Sequence, residues 1–290
     1  MESDAGKEKN VIEKISANYY SFTVSEKLVA DYIMAHISQA QHLSISELAE
    51  TVGVAEATLS RFCRKLGYKG YNEFRMAFAQ AAGEREAVSP LSGEVNAEDS
   101  FSEVCLKLCA VDIEAISQTR NLIKPESYKA AADLLEKANI VYCMGQGGSM
   151  IIAEEAAHLF NTGKGHYFAV SDSHVQAMTA ATARPEDVIL FFSYSGATRE
   201  IMDTLKLAKN RGIKTILVTR YPDSPGAKLA DVVLQCGSNE SPLQLGSAAA
   251  RISQLYLLDV LFSEVSRRNL DVCRENRGLI ADALAEKHFV

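Results

Sequence analysis

Ile140-Val141-Tyr142-Cys143-Met144-Gly145-Gln146-Gly147-Gly148-Ser149 is an apolar run that gives way abruptly to glycines and a serine. Five apolar residues bounded by a turn signal read as a buried strand. The stretch from about Ser149 to Phe160 then has the apolar spacing of a helix. The unit repeats downstream. Tyr167–Val170 is a short strand with a helix from about Val175. Val188–Phe192 is a strand with a helix from about Thr198 to Asn210. Ile213–Val218 and Val232–Gln235 are further strands, and a long apolar helix, roughly Ser247 to Val265, closes the series. Apolar strands alternating with helices imply a parallel sheet covered on both faces. The expectation is a three-layer α/β domain with a five-stranded parallel sheet of flavodoxin-like order 2-1-3-4-5.

Two strand ends differ chemically from the rest: Gly145-Gln146-Gly147-Gly148-Ser149 and Ser193-Tyr194-Ser195-Gly196-Ala197-Thr198. Both lie between a strand and a helix, where unpaired backbone N–H groups and the helix dipole favour an anion. Small residues let a phosphate approach the backbone, and Ser193, Ser195 and Thr198 add hydroxyls. In the expected order, strands 1 and 3 are neighbours at the topological switch, where ligands gather. Gly145, Gly147, Gly148, Ser149, Ser193, Tyr194, Ser195 and Thr198 are therefore the candidate phosphate cradle. Ser193 stands too early to cap the helix beginning near Thr198. A dinucleotide fingerprint is incomplete, because Met150 occupies its sixth position. Gly163-Lys164 is not a P-loop, because His158 stands where its first glycine would be.

Upstream, helices are expected over Phe101–Ser117 and Tyr128–Lys137. Gly83 to Ser100 is polar and small, with Ser89-Pro90 and Ser92-Gly93 breaking any helix, so it reads as a linker. This gives an all-α domain over 1–82, a linker over 83–100 and the α/β domain over 101–290.

Within the first domain, Thr23-Val24-Ser25-Glu26 and Ser44-Ile45-Ser46-Glu47 are capping boxes. Val29, Ile33 and Ile37 give the first helix an apolar stripe. The second helix is short and stops at Gly53. A third runs from about Ala55 to Leu66, with Leu59, Phe62, Cys63 and Leu66 on one face and Ala57, Arg61 and Arg64 opposite. Thr58, Ser60 and Lys65 flank that face. A short helix, a glycine turn and a helix with small and basic residues outward form a helix-turn-helix. In the major groove, Arg61 or Arg64 would meet a guanine edge and Ala57 or Thr58 a thymine methyl. A plain three-helix bundle with a solvated arginine face is the bland alternative.

The formal net charge is −7, which opposes broad nucleic-acid affinity. The balance is local, however. Ala55 to Arg75 holds five cations (Arg61, Arg64, Lys65, Lys69 and Arg75) against Glu56 and Glu73, a surplus of three. No apolar run is long enough to span a bilayer, and Met1–Lys9 is too charged for a secretory signal, so a cytoplasmic location is expected. The six cysteines form no CxxC pair and are expected as buried free thiols, although Cys105 and Cys109 share a helix face. No metal or cofactor is expected.

Ser-Ile-Ser-Glu-Leu-Ala (44–49) and the run from Thr58 through Arg61-Phe62-Cys63-Arg64-Lys65-Leu66-Gly67 to Tyr71 resemble the N-terminal domain of RpiR-type transcriptional regulators. Ala55 departs from that pattern, standing where a serine N-cap is usual. Gly145-x-Gly147-x-Ser149, Ser193-x-Ser195-Gly196-x-Thr198 and Pro225…Lys228-Leu229-Ala230-Asp231 resemble the sugar isomerase (SIS) domain, and Arg251–Phe262 is similar to how RpiR regulators end it. Ala197 replaces a commoner polar residue. The resemblance implies a DNA-binding regulator whose Ser/Thr loop holds the phosphate of a sugar or amino sugar. It also implies a homodimer or homotetramer on a pseudo-palindromic operator. The alternative is a sugar-phosphate isomerase carrying a DNA reader. Glu154, Glu155, His158, His166, His174 and Glu240 are available as bases, yet none sits in an isomerase pattern. Glu240 is expected to touch the ligand through a sugar hydroxyl.

Overall fold

The computed structural model describes residues 11–40, 43–88, 95, 97–237 and 248–285. In the N-terminal part, α1 (Val11–Asn18) precedes α2 (Val24–Ala35), α3 (Ile37–Ala40), α4 (Ile45–Val52), α5 (Glu56–Lys65) and α6 (Tyr71–Val88). Both capping boxes form. The Thr23 and Ser44 hydroxyls accept the N–H of Glu26 and Glu47, whose carboxylates accept the Thr23 and Ser44 N–H in return. Gly53 ends α4 at φ +74°, so its N–H and that of Val54 turn back to the α4 carbonyls.

The apolar stripes of these helices converge on Phe62. Its ring lies 4.9 Å from Phe22 and 5.9 Å from Phe74. Around it Val29, Ile33, Leu48, Leu59 and Phe78 are buried. Burying a side chain of this size contributes about 1.5–3 kcal/mol, so this small unit depends on a few rings. Two of its walls were not expected. α1 contributes Val11, Ile12 and Ile15, and α6 contributes Tyr71, Phe74 and Phe78. α2 also stops at Ala35, and its stripe is broken at His36, which leaves helical geometry.

The remaining elements are α7 (Phe101–Leu122), α8 (Pro125–Lys137), β1 (Val141–Gly145), α9 (Gly148–Asn161), β2 (Tyr167–Val170), α10 (Ser173–Thr182), β3 (Val188–Phe192), α11 (Arg199–Arg211), β4 (Lys214–Thr219), β5 (Val232–Gln235), α12 (Ala248–Arg268) and α13 (Leu270–Ala285). The five strands form one parallel sheet of order β2-β1-β3-β4-β5. β3, at its centre, is buried at every residue. The period of two sorts its side chains. Val188, Leu190 and Phe192 join the layer of α8, α9 and α12, while Ile189 and Phe191 join that of α10 and α11. Three layers result, as the alternating pattern requires.

The chain divides into two compact units, with the division after Ile113, inside α7. α6 continues to Val88, past the expected linker start at Gly83. α13, for which no helix was expected, follows the presumed last helix and buries Cys273 against Gly163. The cysteine expectation needs correcting. Cys63, Cys143, Cys236 and Cys273 are buried, but Cys105 and Cys109 are exposed on α7. Their shared face points away from a core. No helix among the described residues is long and apolar enough to cross a membrane.

Candidate nucleic-acid interface and anion cradle

α5 starts without a side-chain cap, because Ala55 has no group to offer its free N–H donors. Ser46 compensates partly by donating to Glu56 at 2.5 Å, which ties the start of α5 to α4. Ala57, Arg61 and Arg64 are exposed, Ser60 is half-buried, and Leu59, Phe62 and Cys63 face the core. Thr58 is only 7% exposed, and its hydroxyl accepts Nη2 of Arg61 at 3.3 Å, so it braces that arginine. Lys65 also leans inward. Its ammonium pairs with Glu26 at 3.1 Å, donates to the Ser21 carbonyl and lies over the Phe22 ring. Burial raises the cost of ionising Glu26, but the Thr23 N–H and Lys65 outweigh it and hold the carboxyl below its ordinary range. Lys69 is exposed beyond the helix. Of the seven candidate DNA contacts, Ala57, Arg61, Arg64 and Lys69 thus turn their side chains to solvent.

In the sheet, Gly145 pairs with Phe192 in the β1–β3 register. The chain leaves both strands at the same edge, so residues 146–149 and 193–198 emerge side by side at the point where strand order reverses. The first loop is built from glycines. A Cβ on Gly145 would lie 2.5 Å from the Ser149 carbonyl oxygen, and Gly147 takes φ +53° as it opens α9. Gly148 and Ser149 follow in the first turn, where the Ser149 N–H turns back to the Gln146 carbonyl at 3.1 Å. Arg251, at the start of α12, brings Nη1 to 3.7 Å from where a Gly148 Cβ would stand.

The second loop is folded back on itself. Ser193, 4% exposed, accepts the Gly196 N–H at 3.0 Å, and Ser195 accepts that of Ala197 at 3.3 Å. Ser193 thus has a local structural role after all, shaping the turn rather than capping the helix. Gly196 sits at φ +61°, with a would-be Cβ 2.2 Å from the Ser224 hydroxyl. Thr219 and the Arg220 N–H both donate to the Tyr194 carbonyl at 3.0 Å. Thr198 is exposed at the N-cap of α11, and its hydroxyl makes no capping bond.

Glu240 lies outside the described residues. Gln176, which no sequence motif singled out, is fully buried on α10. Its amide donates to the Gly145 and Val170 carbonyls and accepts from Gln146, fastening the first loop to the end of β2. A polar residue inside the apolar run of α10 was the available signal. Arg251, Thr219 and Ser224 carried none, since their relation to the loops exists only in three dimensions.

Residues 9–84 match the family model of the helix-turn-helix domain, rpiR family, and residues 134–264 match that of the SIS domain. An uncharacterized HTH-type transcriptional regulator of Caldanaerobacter subterraneus subsp. tengcongensis is 34% identical over 265 residues, 91% of this chain and 92% of that protein. The chain belongs to the RpiR family of transcriptional regulators. A Haemophilus influenzae HTH-type regulator is 30% identical to this RpiR-family chain over 98% of it and 99% of the relative. Among solved structures, the Vibrio vulnificus NanR protein complexed with ManNAc-6P aligns with a TM-score of 0.63 at 25% identity, covering 97% of this chain and all of that one.

Proposed function

We propose that this RpiR-family regulator binds a pseudo-palindromic operator as a homodimer or homotetramer in the cytoplasm, and that a phosphorylated sugar or amino sugar adjusts that binding. The reader is residues 1–82, the connection 83–100 and the sensor 101–290. DNA is met by Ala57, Thr58, Ser60, Arg61, Arg64, Lys65 and Lys69. In this set Arg61 and Arg64 reach for base edges, while Thr58 and Lys65 act largely by positioning. The effector is met by Gly145, Gly147, Gly148, Ser149, Ser193, Tyr194, Ser195 and Thr198, with Glu240 completing the sugar contacts.

The β1–β3 register at Gly145 and Phe192 carries the reading, because it brings the two separate motifs to one sheet edge. The likeness to a full-length relative solved with an amino-sugar phosphate supports the ligand class. The chain senses its ligand rather than converting it. Proton abstraction needs a base of tuned pKa over a sugar carbon, and Glu154, Glu155, His158, His166 and His174 include no group fixed over either loop. Linkage requires ligand and operator to alter each other's affinity by one factor, typically about 5–150-fold.

The test is a crossed pair of variants in operator binding and phosphosugar titration. Ser193→Ala with Ser195→Ala loses the ligand response and keeps operator affinity. Arg61→Ala loses about 1–3 kcal/mol of operator affinity and keeps ligand binding. Operator binding indifferent to saturating phosphosugars and amino-sugar phosphates would refute the switch, and turnover of such a sugar without DNA would restore the isomerase alternative.

A further inference from the structure

Arg220 follows β4 directly, at the strand edge from which the cradle emerges, and is only 4% exposed. Its backbone is fully used. The N–H donates to the Tyr194 carbonyl at 3.0 Å, and its carbonyl accepts Nε2 of Gln235 at 3.1 Å. Its side chain is not. Among the described residues no carboxylate pairs with the guanidinium and no acceptor receives its N–H groups. That is an unusual state for a buried arginine. Its five donors are normally satisfied, because the loss of hydration is otherwise uncompensated.

The surroundings offer a second unused donor. Burial pushes the Cys236 thiol up to about 11 against the opposing pull of Arg220, Ser253 and Gln254, which lie within electrostatic or hydrogen-bond reach of it. Gln254 is 2% exposed, and its Nε2 has no oxygen acceptor, only the Cys236 sulfur nearby. The Arg220 guanidinium and the Gln254 amide, neither bonded to an oxygen acceptor among the described residues, stand beside the strand edge that the Tyr194 carbonyl joins to the Ser193–Thr198 loop.

We infer that Arg220 is an effector-binding residue whose guanidinium, aided by the Gln254 amide, receives an anionic oxygen of the ligand held on the neighbouring loop. The inference rests on the reading of that loop as an anion cradle and adds the cation its neutral hydroxyls lack. It narrows the effector to compounds that present a phosphate or carboxylate oxygen at this edge. Sugars without an anionic group are excluded. Arg220 is then costly to the empty protein and useful only to the occupied one.

That sign separates the inference from a structural role. The full chain is melted with and without inorganic phosphate, glucose 6-phosphate and gluconate, as wild type, as Arg220→Met and as Ser193→Ala with Ser195→Ala. Wild type is expected to be stabilised by at least one of these anions. Arg220→Met should melt at or above wild type without anion and bind that anion about 10–100-fold more weakly, as loss of a charged hydrogen bond implies. Arg220→Lys, which keeps the charge but not the planar fork, should fold and also bind more weakly. Dependence on Arg220 with gluconate alone identifies a carboxylate, and with the phosphates a phosphate. If Arg220→Met melts well below wild type with its anion response intact, or Arg220→Lys binds as wild type does, the inference is overturned. Loss of response in the serine variant alone leaves the cradle standing without Arg220, and loss in the arginine variant alone does the reverse. A wild type indifferent to all three anions overturns both.

Discussion

α5 offers solvent the side chains of Ala57, Arg61 and Arg64 on a backbone whose hydrogen bonds are largely spent within the helix. The cradle is built differently: at Gly145–Ser149 and Ser193–Thr198 most side chains are small, and a ligand would meet backbone as well as the hydroxyls. Substitution therefore acts differently in the two places. On α5 a replacement subtracts one contact and leaves the helix standing. At Gly145 and Gly196 a replacement adds atoms where the fold has no room, and the loop itself must move.

The sharpest way to break that contrast is Gly196→Ala. The residue is at φ +61°, and its Cβ would lie 2.2 Å from Ser224 Oγ. Left-handed backbone strain and overpacking together should cost about 2–5 kcal/mol, seen as a lowered melting temperature with loss of phosphosugar response. An undiminished melting temperature would mean that the loop has a second shape available.

A smaller effect is expected at Glu26, which joins a capping box to the Lys65 pair. Its carboxyl is held below the ordinary value in the folded chain, so its contribution is complete above the unfolded value near 4.3 and fades as pH falls through the lower, folded one. Glu26→Gln should cost about 1–2 kcal/mol at neutral pH and flatten the acid limb of the stability–pH curve of the N-terminal unit. An acid limb identical to wild type would remove Glu26 from that role.

The smallest change runs in the stabilising direction. Ala55→Ser gives α5 the cap it lacks and should add about 0.5–1 kcal/mol in chemical denaturation, with Arg61 and Arg64 undisturbed. No gain would show that the Ser46–Glu56 bond already anchors the helix start.

Much of this was legible beforehand because it is local. The capping boxes at Thr23 and Ser44 and the stop at Gly53 depend on residues within one turn of each other, and so does the apolar face of α5. Strand alternation was equally plain, and the 2-1-3-4-5 order found in the sheet is the one that the resemblance to the SIS domain implied. α1 and α6 escaped notice although their buried residues keep helical spacing, and α13 has a weak apolar stripe with Leu270, Val272, Leu279 and Leu284 exposed. Lys65 was grouped with the DNA contacts because helical geometry gives its direction but not the Glu26 carboxylate awaiting it from α2.

By itself, then, the order of residues showed most of the helices and all five strands, and that glycines and hydroxyls gather at two strand ends. Backbone propensity, capping and burial periodicity act over a few positions, and one chain suffices to read them. Tertiary structure decided what those segments do for one another: Gln176 fastening the first loop, Ser224 forbidding a side chain at Gly196, and Arg220 buried without a counter-charge. Those are properties of groups distant in sequence, and their energies depend on distance and desolvation, which exist only after the sheet has assembled.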